Sequence, residues 1–230
     1  MHGAWHGGWC WRRVAERLRK AGHRVFAPTL TGVGERRHLL SADVDLETHI
    51  QDILGVLEAE ELENVILVGH SYAGLVISGV AARAKERIRQ LVYQDALLAE
   101  DGQSWADAFP PDIAEARRTG ATVTNGVKTI PPPDPEIYGF ADPADTEWVR
   151  RRMTPHPYAA FEQKSRLNGQ LGSGLPRLYI DCTTPPIAAL ATIKDRDRGR
   201  ADWPFVEMRT GHDAMLSAPE EFTRQLLQFA

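Results

Sequence analysis

Apolar and polar positions follow two alternating periods along the first half of the chain. In "WCWRRVAERLRKAG", Trp11, Val14 and Leu18 recur at helical spacing between arginines, and Ala21-Gly22 supplies a stop. "HRVFAPTL" predicts a short strand running into the turn-prone "TGVGERRH". "DLETHIQDILGVLEAEE" is amphipathic, with Ile50, Ile53, Leu54 and Leu57 on one face. "NVILVG" is a continuous apolar run, as expected of a strand covered on both sides. "AGLVISGVAARAKERI" then predicts a helix and "RQLVYQDAL" a further strand. Strands alternating with helices imply a mostly parallel sheet with helices on both faces.

The alternation breaks between about residues 100 and 171. No strong strand pattern occurs there, "IPPPDPEIYGFADP" is too proline-rich for a core element, and helical pieces such as "DTEWVRRRM" and "PYAAFEQKSRL" punctuate it. The expectation is a helical cap inserted over the sheet's active edge, within a single domain spanning 1–230. Alternation resumes with "PRLYIDC" as strand, "IAALATIKDRDR" as helix, "PFVEMR" as strand and "PEEFTRQLLQFA" as helix. At the other end, "MHGAWHGGWCW" opens directly on a glycine/tryptophan loop. A loop of that kind needs a rigid element on each side, so one or more N-terminal strands are expected to be missing.

Composition narrows the function classes. The 230 residues suffice for one full core, and 43% hydrophobic with 25% charged is ordinary for a globular protein. With a formal net charge of -4 and no lysine/arginine block, nucleic acid and membrane surfaces find no electrostatic partner. No apolar run approaches bilayer-spanning length, and no leader pattern is visible. Cys10 and Cys182 make no disulfide framework and read as buried thiols. These features favour a cytoplasmic protein acting on a small organic molecule; no metal or organic cofactor is expected, and homodimer formation is left open.

In an open parallel sheet, ligands bind beyond the carboxyl ends of the strands. The polar residues there are Ser71 after "VILV", Asp95 in "LVYQD", Asp181 in "LYID" and His212 after "VEMR". A serine, a histidine and a carboxylate so placed can form a nucleophile, its base and the base's orienter. "GHSYAG" almost spells G-x-S-x-G, with Ala73 at the second small position and Gly74 giving slack beside it. It also resembles a dinucleotide fingerprint with Asp95 as ribose acid, but a serine at the second glycine obstructs the pyrophosphate and leaves His212 unused. The carboxylate is open between Asp95, which is favoured, and Asp181, which falls inside its strand. Asp195 and Asp197 belong to a charge-rich, apparently solvated helix. His70 reads as packing against the turn, and His2 and His6 as too few for a metal site. Oxyanion donors would come from Tyr72 and from Ala4 or Trp5 in the first loop.

With "HGAWHGGWCW", "GHSYAG", "YQDALLAEDGQS", "TPHPYAAFEQ" and "TGHDAMLSAPEEF" spread over nearly its whole length, the chain resembles the α/β-hydrolase superfamily. It is most similar to the branch of bacterial carboxylesterases such as pyrethroid hydrolases, plant methyl-ester esterases and hydroxynitrile lyases. The resemblance implies an α/β-hydrolase fold, Ser71 as nucleophile, His212 as base, and Ala4 and Tyr72 as oxyanion donors. The family's usual acid is missing from "CTTPPI", which points to Asp95. The cyanohydrin-cleaving members carry a lysine and a threonine where this chain has Asp213 and Gly3. A serine carboxylic-ester hydrolase forming an acyl-enzyme on a small, rather apolar ester is therefore expected. A lyase on the same scaffold and a non-catalytic small-molecule binder are the alternatives. Trp105, Phe109, Tyr138, Phe140, Trp148 and Phe161 are the aromatics expected to line or pack the cap.

Overall fold

The computed structural model describes residues 1–198 and 203–229. Helices α1 (Arg12–Lys20) and α2 (Leu46–Ala59) lead into strand β1 (Val65–His70), helix α3 (Ala73–Ala84) and strand β2 (Ile88–Gln94). The next stretch holds α4 (Trp105–Ala108), α5 (Pro111–Thr119), β3 (Thr122–Thr124), β4 (Val127–Ile130), α6 (Pro143–Arg150), β5 (His156–Pro157) and α7 (Tyr158–Glu162). Then come β6 (Arg177–Cys182), α8 (Ala191–Asp197), β7 (Phe205–Met208), α9 (Ala214–Ser217) and α10 (Pro219–Leu227).

The main sheet has the order β1-β2-β6-β7, with every neighbouring pair parallel. Successive side chains point to opposite faces, and two cores result. Leu91, Tyr93 and Tyr179 join the apolar residues of α2 and α3 on one face. Val92, Leu178 and Ile180 join Val14 of α1, Met215 of α9 and Phe222 of α10 on the other. Helices thus cover both faces, as the alternation predicted. Asp45 starts α2 in a reciprocal capping box with Thr48. No helix among the described residues is long and apolar enough to cross a membrane.

Two sequence expectations change. "HRVFAPTL" runs extended but joins no ladder. A groove of about 430 Å³, lined by Val25, Phe26, Ile66 and Val68 among others, runs beside it, leaving its backbone without a sheet neighbour. Among the residues lining that groove, the Met1 nitrogen donates to the Val68 carbonyl at 2.5 Å. Met1 in turn accepts from the His70 amide at 3.1 Å, a single rung of parallel pairing against β1. The 100–171 segment, expected to be helical, also contains a three-stranded antiparallel sheet, β3-β4-β5. Its strands have two to four residues, too short for a period-2 signal, and Thr122–Thr124 is mostly exposed.

Candidate active site

Ser71 sits between β1 and α3 with φ at 53°, a left-handed conformation that costs a non-glycine residue energy and is held only by surrounding bonds. Its amide donates to the Gln94 carbonyl at 3.1 Å, and its carbonyl accepts from the Leu97 amide at 2.9 Å. The end of β1 is thereby tied on both sides to the end of β2. A methyl at Gly69 would lie 2.8 Å from the Ala73 carbonyl oxygen, and one at Gly74 only 2.1 Å from the Leu97 carbonyl oxygen. Gly74 is therefore a close-approach position rather than slack in the turn. The Ala73 methyl is fully buried in the core.

His212 and Asp95 meet across the sheet's carboxyl edge. His212 Nδ1 donates to Asp95 Oδ2 at 2.6 Å, with both side chains buried. That bond leaves Nε2 as the ring's lone-pair nitrogen. The His212 ring packs on His70, the residue before Ser71, with centroids 4.4 Å apart, and Tyr138 stacks near it at 5.5 Å. Gln94 donates to the His212 carbonyl at 2.7 Å and so fixes the loop that carries the ring. Asp95, with φ at 44°, is anchored by its own amide to Ile180 at 2.8 Å.

Asp181 does not reach the histidine. It lies in β6, as its strand pattern indicated, and pairs with Lys194 at 2.7 Å and with Arg198. Lys194 Nζ also stands 2.5 Å from Asp95 Oδ1 and donates to the Cys182 carbonyl at 3.2 Å. One buried ammonium therefore bridges the two carboxylates that the sequence left as alternatives. For Asp95, burial pushes the carboxyl up, but the hydrogen bond and charge of His212, then Lys194, outweigh it and hold the group below the usual range. For Lys194, burial pulls the ammonium down, and Asp95 followed by Asp181 raises it overall.

Lys194 was hidden in a helix whose charges look solvated. Asp195 is exposed, but Asp197 is fully buried against Arg196, so that expectation fails for it. The missed signal is the spacing of Leu190, Ile193, Lys194 and Asp197, which form one buried helical stripe. His6 was likewise underrated. It pairs with Asp213 at 3.0 Å, both fully buried, and although burial lowers its pKa, the Asp213 charge raises it overall. His2 is structural, accepting from the Leu30 amide at 3.0 Å. His70 packs against the turn as expected; its Nε2 lies 3.4 Å from Asp213 Oδ1 without a well-formed hydrogen bond, and burial pushes it well below the usual histidine value. Ligand atoms of His70, His212 and Asp213 come within 4.8 Å of one another. Asp95 and His6 already engage two of these three side chains.

Ala4 and Tyr72 are buried beside Ser71, and neither amide donates a hydrogen bond to another described residue. The Trp5 amide instead meets His156 Nδ1 at 3.5 Å. Trp105 is packed on Tyr72, Trp5 and Phe161, with ring centroids 5.1, 5.8 and 5.2 Å away. Phe140 and Trp148 are only partly buried, with Trp148 edge-on to Trp9 at 5.0 Å. Cys10 and Cys182 are free, buried thiols.

Comparison with known proteins adds to this geometry. A model of an alpha/beta hydrolase family matches residues 1–225. A carbendazim hydrolyzing esterase of Nocardioides sp. (strain SG-4G) is 44% identical over 237 residues, covering 98% of this chain and 96% of that protein. An extracellular alpha/beta-hydrolase from a Paenibacillus species superposes with a TM-score of 0.82 at 23% identity, covering 99% of this chain and 96% of the other. A pyrethroid hydrolase from Sphingobium faniae JZ-2 gives 0.72 at 23% identity, covering 99% and 94%. At such identities the two structures speak for a common fold.

Proposed function

The chain belongs to the alpha/beta hydrolase family and is a hydrolase; on that premise we propose that it is a serine carboxylic-ester hydrolase with Ser71 as nucleophile. The observation that carries the reading is the buried 2.6 Å bond from His212 Nδ1 to Asp95, with the His212 ring packed on His70, the residue before a serine held at φ 53°. A serine hydroxyl is a weak nucleophile until a base takes its proton. His212 Nε2 fills that role, and the carboxylate of Asp95 orients the ring and stabilises the imidazolium that forms. The amides of Ala4 and Tyr72 receive the oxyanion, each such donor being worth about 2.7–4 kcal/mol in the transition state. His212 then protonates the departing alcohol. Water, activated by the same base, attacks the acyl-enzyme and releases the acid. The 100–171 segment acts as a cap that keeps bulk water from the acyl group.

A 44% identical relative named as an esterase supports ester chemistry over cyanohydrin cleavage. The local residues agree. A side chain at Gly3 would place Cβ 2.8 Å from Ser71 Cβ and 2.9 Å from His70 Nδ1, so a threonine has no room beside the nucleophile. Asp213 provides a negative charge where a lyase needs a cation for cyanide. The test is hydrolysis of p-nitrophenyl esters beside cleavage of mandelonitrile by the protein and its Ser71→Ala variant. Ester turnover abolished by the substitution is expected. Cyanide release without ester turnover would replace this reading with a lyase, and neither activity would leave a binding protein.

A further inference from the structure

Arg117, in α5, carries a guanidinium that stacks on aromatic rings but pairs with no described residue. Its Cζ lies 5.2 Å from the Trp5 ring centroid, 5.6 Å from Trp105 and 5.1 Å from Phe109. The next residue shows what an ordinary surface arginine does here: Arg118 forks onto Glu162, with Nε 2.8 Å from Oε1. Arg117 has no hydrogen bond or ion pair to any described residue, and its Nε is buried without an acceptor. Burial lowers its pKa, and the phenol of Tyr138 opposes this.

The rings around this cation belong to the candidate site. Trp5 follows Ala4 in the oxyanion loop, Trp105 packs on Tyr72, and Tyr138 stacks near His212. Aromatic faces attract a guanidinium by about 0.5–2 kcal/mol each, depending on how dry the site is. They meet it over its plane, however, and leave the N–H groups at its edge unsatisfied. The buried Nε–H, which lacks an acceptor among the described residues, is costly unless water or a ligand supplies one. Planar, edge-on, charge-assisted acceptance by two oxygens is what a carboxylate offers.

We propose that Arg117 binds an anionic carboxylate on the substrate, at the end remote from the scissile ester, so that the preferred substrates are ester-carboxylates such as hemi-esters of dicarboxylic acids. This inference rests on the ester-hydrolase reading and adds to it: the aromatic walls accept an apolar spacer, and Arg117 sets the charge and length of the far end. A neutral ester of the same length leaves the guanidinium unpaired and binds less well in ground state and transition state alike.

The test compares kcat/KM for monomethyl and dimethyl esters of a dicarboxylic acid series from malonate to suberate. It uses the protein, Arg117→Met and Arg117→Lys, each checked for folding by circular dichroism. The wild-type protein should favour the monomethyl ester at one or two spacer lengths by roughly tenfold or more, the size of one charge-assisted hydrogen bond. That preference should disappear in Arg117→Met, return in part in Arg117→Lys, and shrink as salt is added. Equal rates for the two ester forms at every length in the wild-type protein would overturn the inference while leaving the hydrolase reading intact. So would a preference that survives in Arg117→Met. Absence of any ester turnover, with Ser71 inert to a fluorophosphonate, would overturn both.

Discussion

Replacing Lys194 with methionine removes the ammonium that stands 2.5 Å from Asp95 and 2.7 Å from Asp181, in a side chain only 7% exposed. Unit charges about 4 Å apart attract by about 4 kcal/mol at an effective dielectric near 20, but that gain is partly spent on desolvating the ammonium. Removing one partner of a buried pair costs about 3–5 kcal/mol, because the other partner is left uncompensated. Arg198 still holds Asp181 and His212 still holds Asp95, which puts Lys194→Met at the low end, about 3 kcal/mol. At about 2–4 °C per kcal/mol for a chain of this size, Tm should fall by roughly 6–12 °C. The same change should appear in the pH profile. Without the ammonium the Asp95 carboxyl, held down in part by Lys194, rises. That moves the acidic limb of kcat/KM to higher pH, by about one unit for each 1.4 kcal/mol of lost interaction. Lys194→Arg should recover part of both quantities. A Tm within about 2 °C of wild type together with a superimposable pH profile would refute the reasoning.

Asp95→Asn should lower turnover by about 10⁴-fold, as neutralising a triad acid does, whereas Asp181→Asn should cost at most about tenfold; steady-state kinetics on one p-nitrophenyl ester separates them. Gly74→Ala forces a methyl to within 2.1 Å of the Leu97 carbonyl oxygen. It should destabilise by about 1–3 kcal/mol in thermal unfolding, with activity falling as the serine turn shifts. His6 is held above its ordinary value of 6.5 by Asp213, so its stabilising contribution is complete below pH 6.5 and is lost as pH rises through the higher folded value. In NMR titrations its ring should stay protonated above pH 6.5, and Asp213→Asn should bring that titration down.

Much of this molecule is legible in the chain because its signals are local. The run "NVILVG", the amphipathic α2 and the serine turn each announce themselves within a dozen residues, and the parallel order follows from their alternation. What escaped depends on contacts distant in sequence. Asp95 and Asp181 look equivalent along the chain, since each ends or nearly ends a strand. Only the fold places one on His212 and the other behind it on Lys194 and Arg198. "HRVFAPTL" has strand composition, yet a strand is defined by its neighbour, and a groove lies where that neighbour would pair. The short antiparallel strands of the 100–171 segment carry too few residues for any period to emerge. Arg117 could not have been singled out from Arg118, because what distinguishes them is the partner that Arg117 lacks among the described residues.

In the proposed mechanism Ser71 is made nucleophilic by His212 and Asp95. Its most direct test is intact-protein and peptide mass spectrometry after brief exposure to a fluorophosphonate. One adduct per chain is expected, on the peptide carrying Ser71, absent from Ser71→Ala and formed far more slowly by His212→Ala and Asp95→Asn. An unmodified Ser71 in a folded protein that still hydrolyses esters would contradict it.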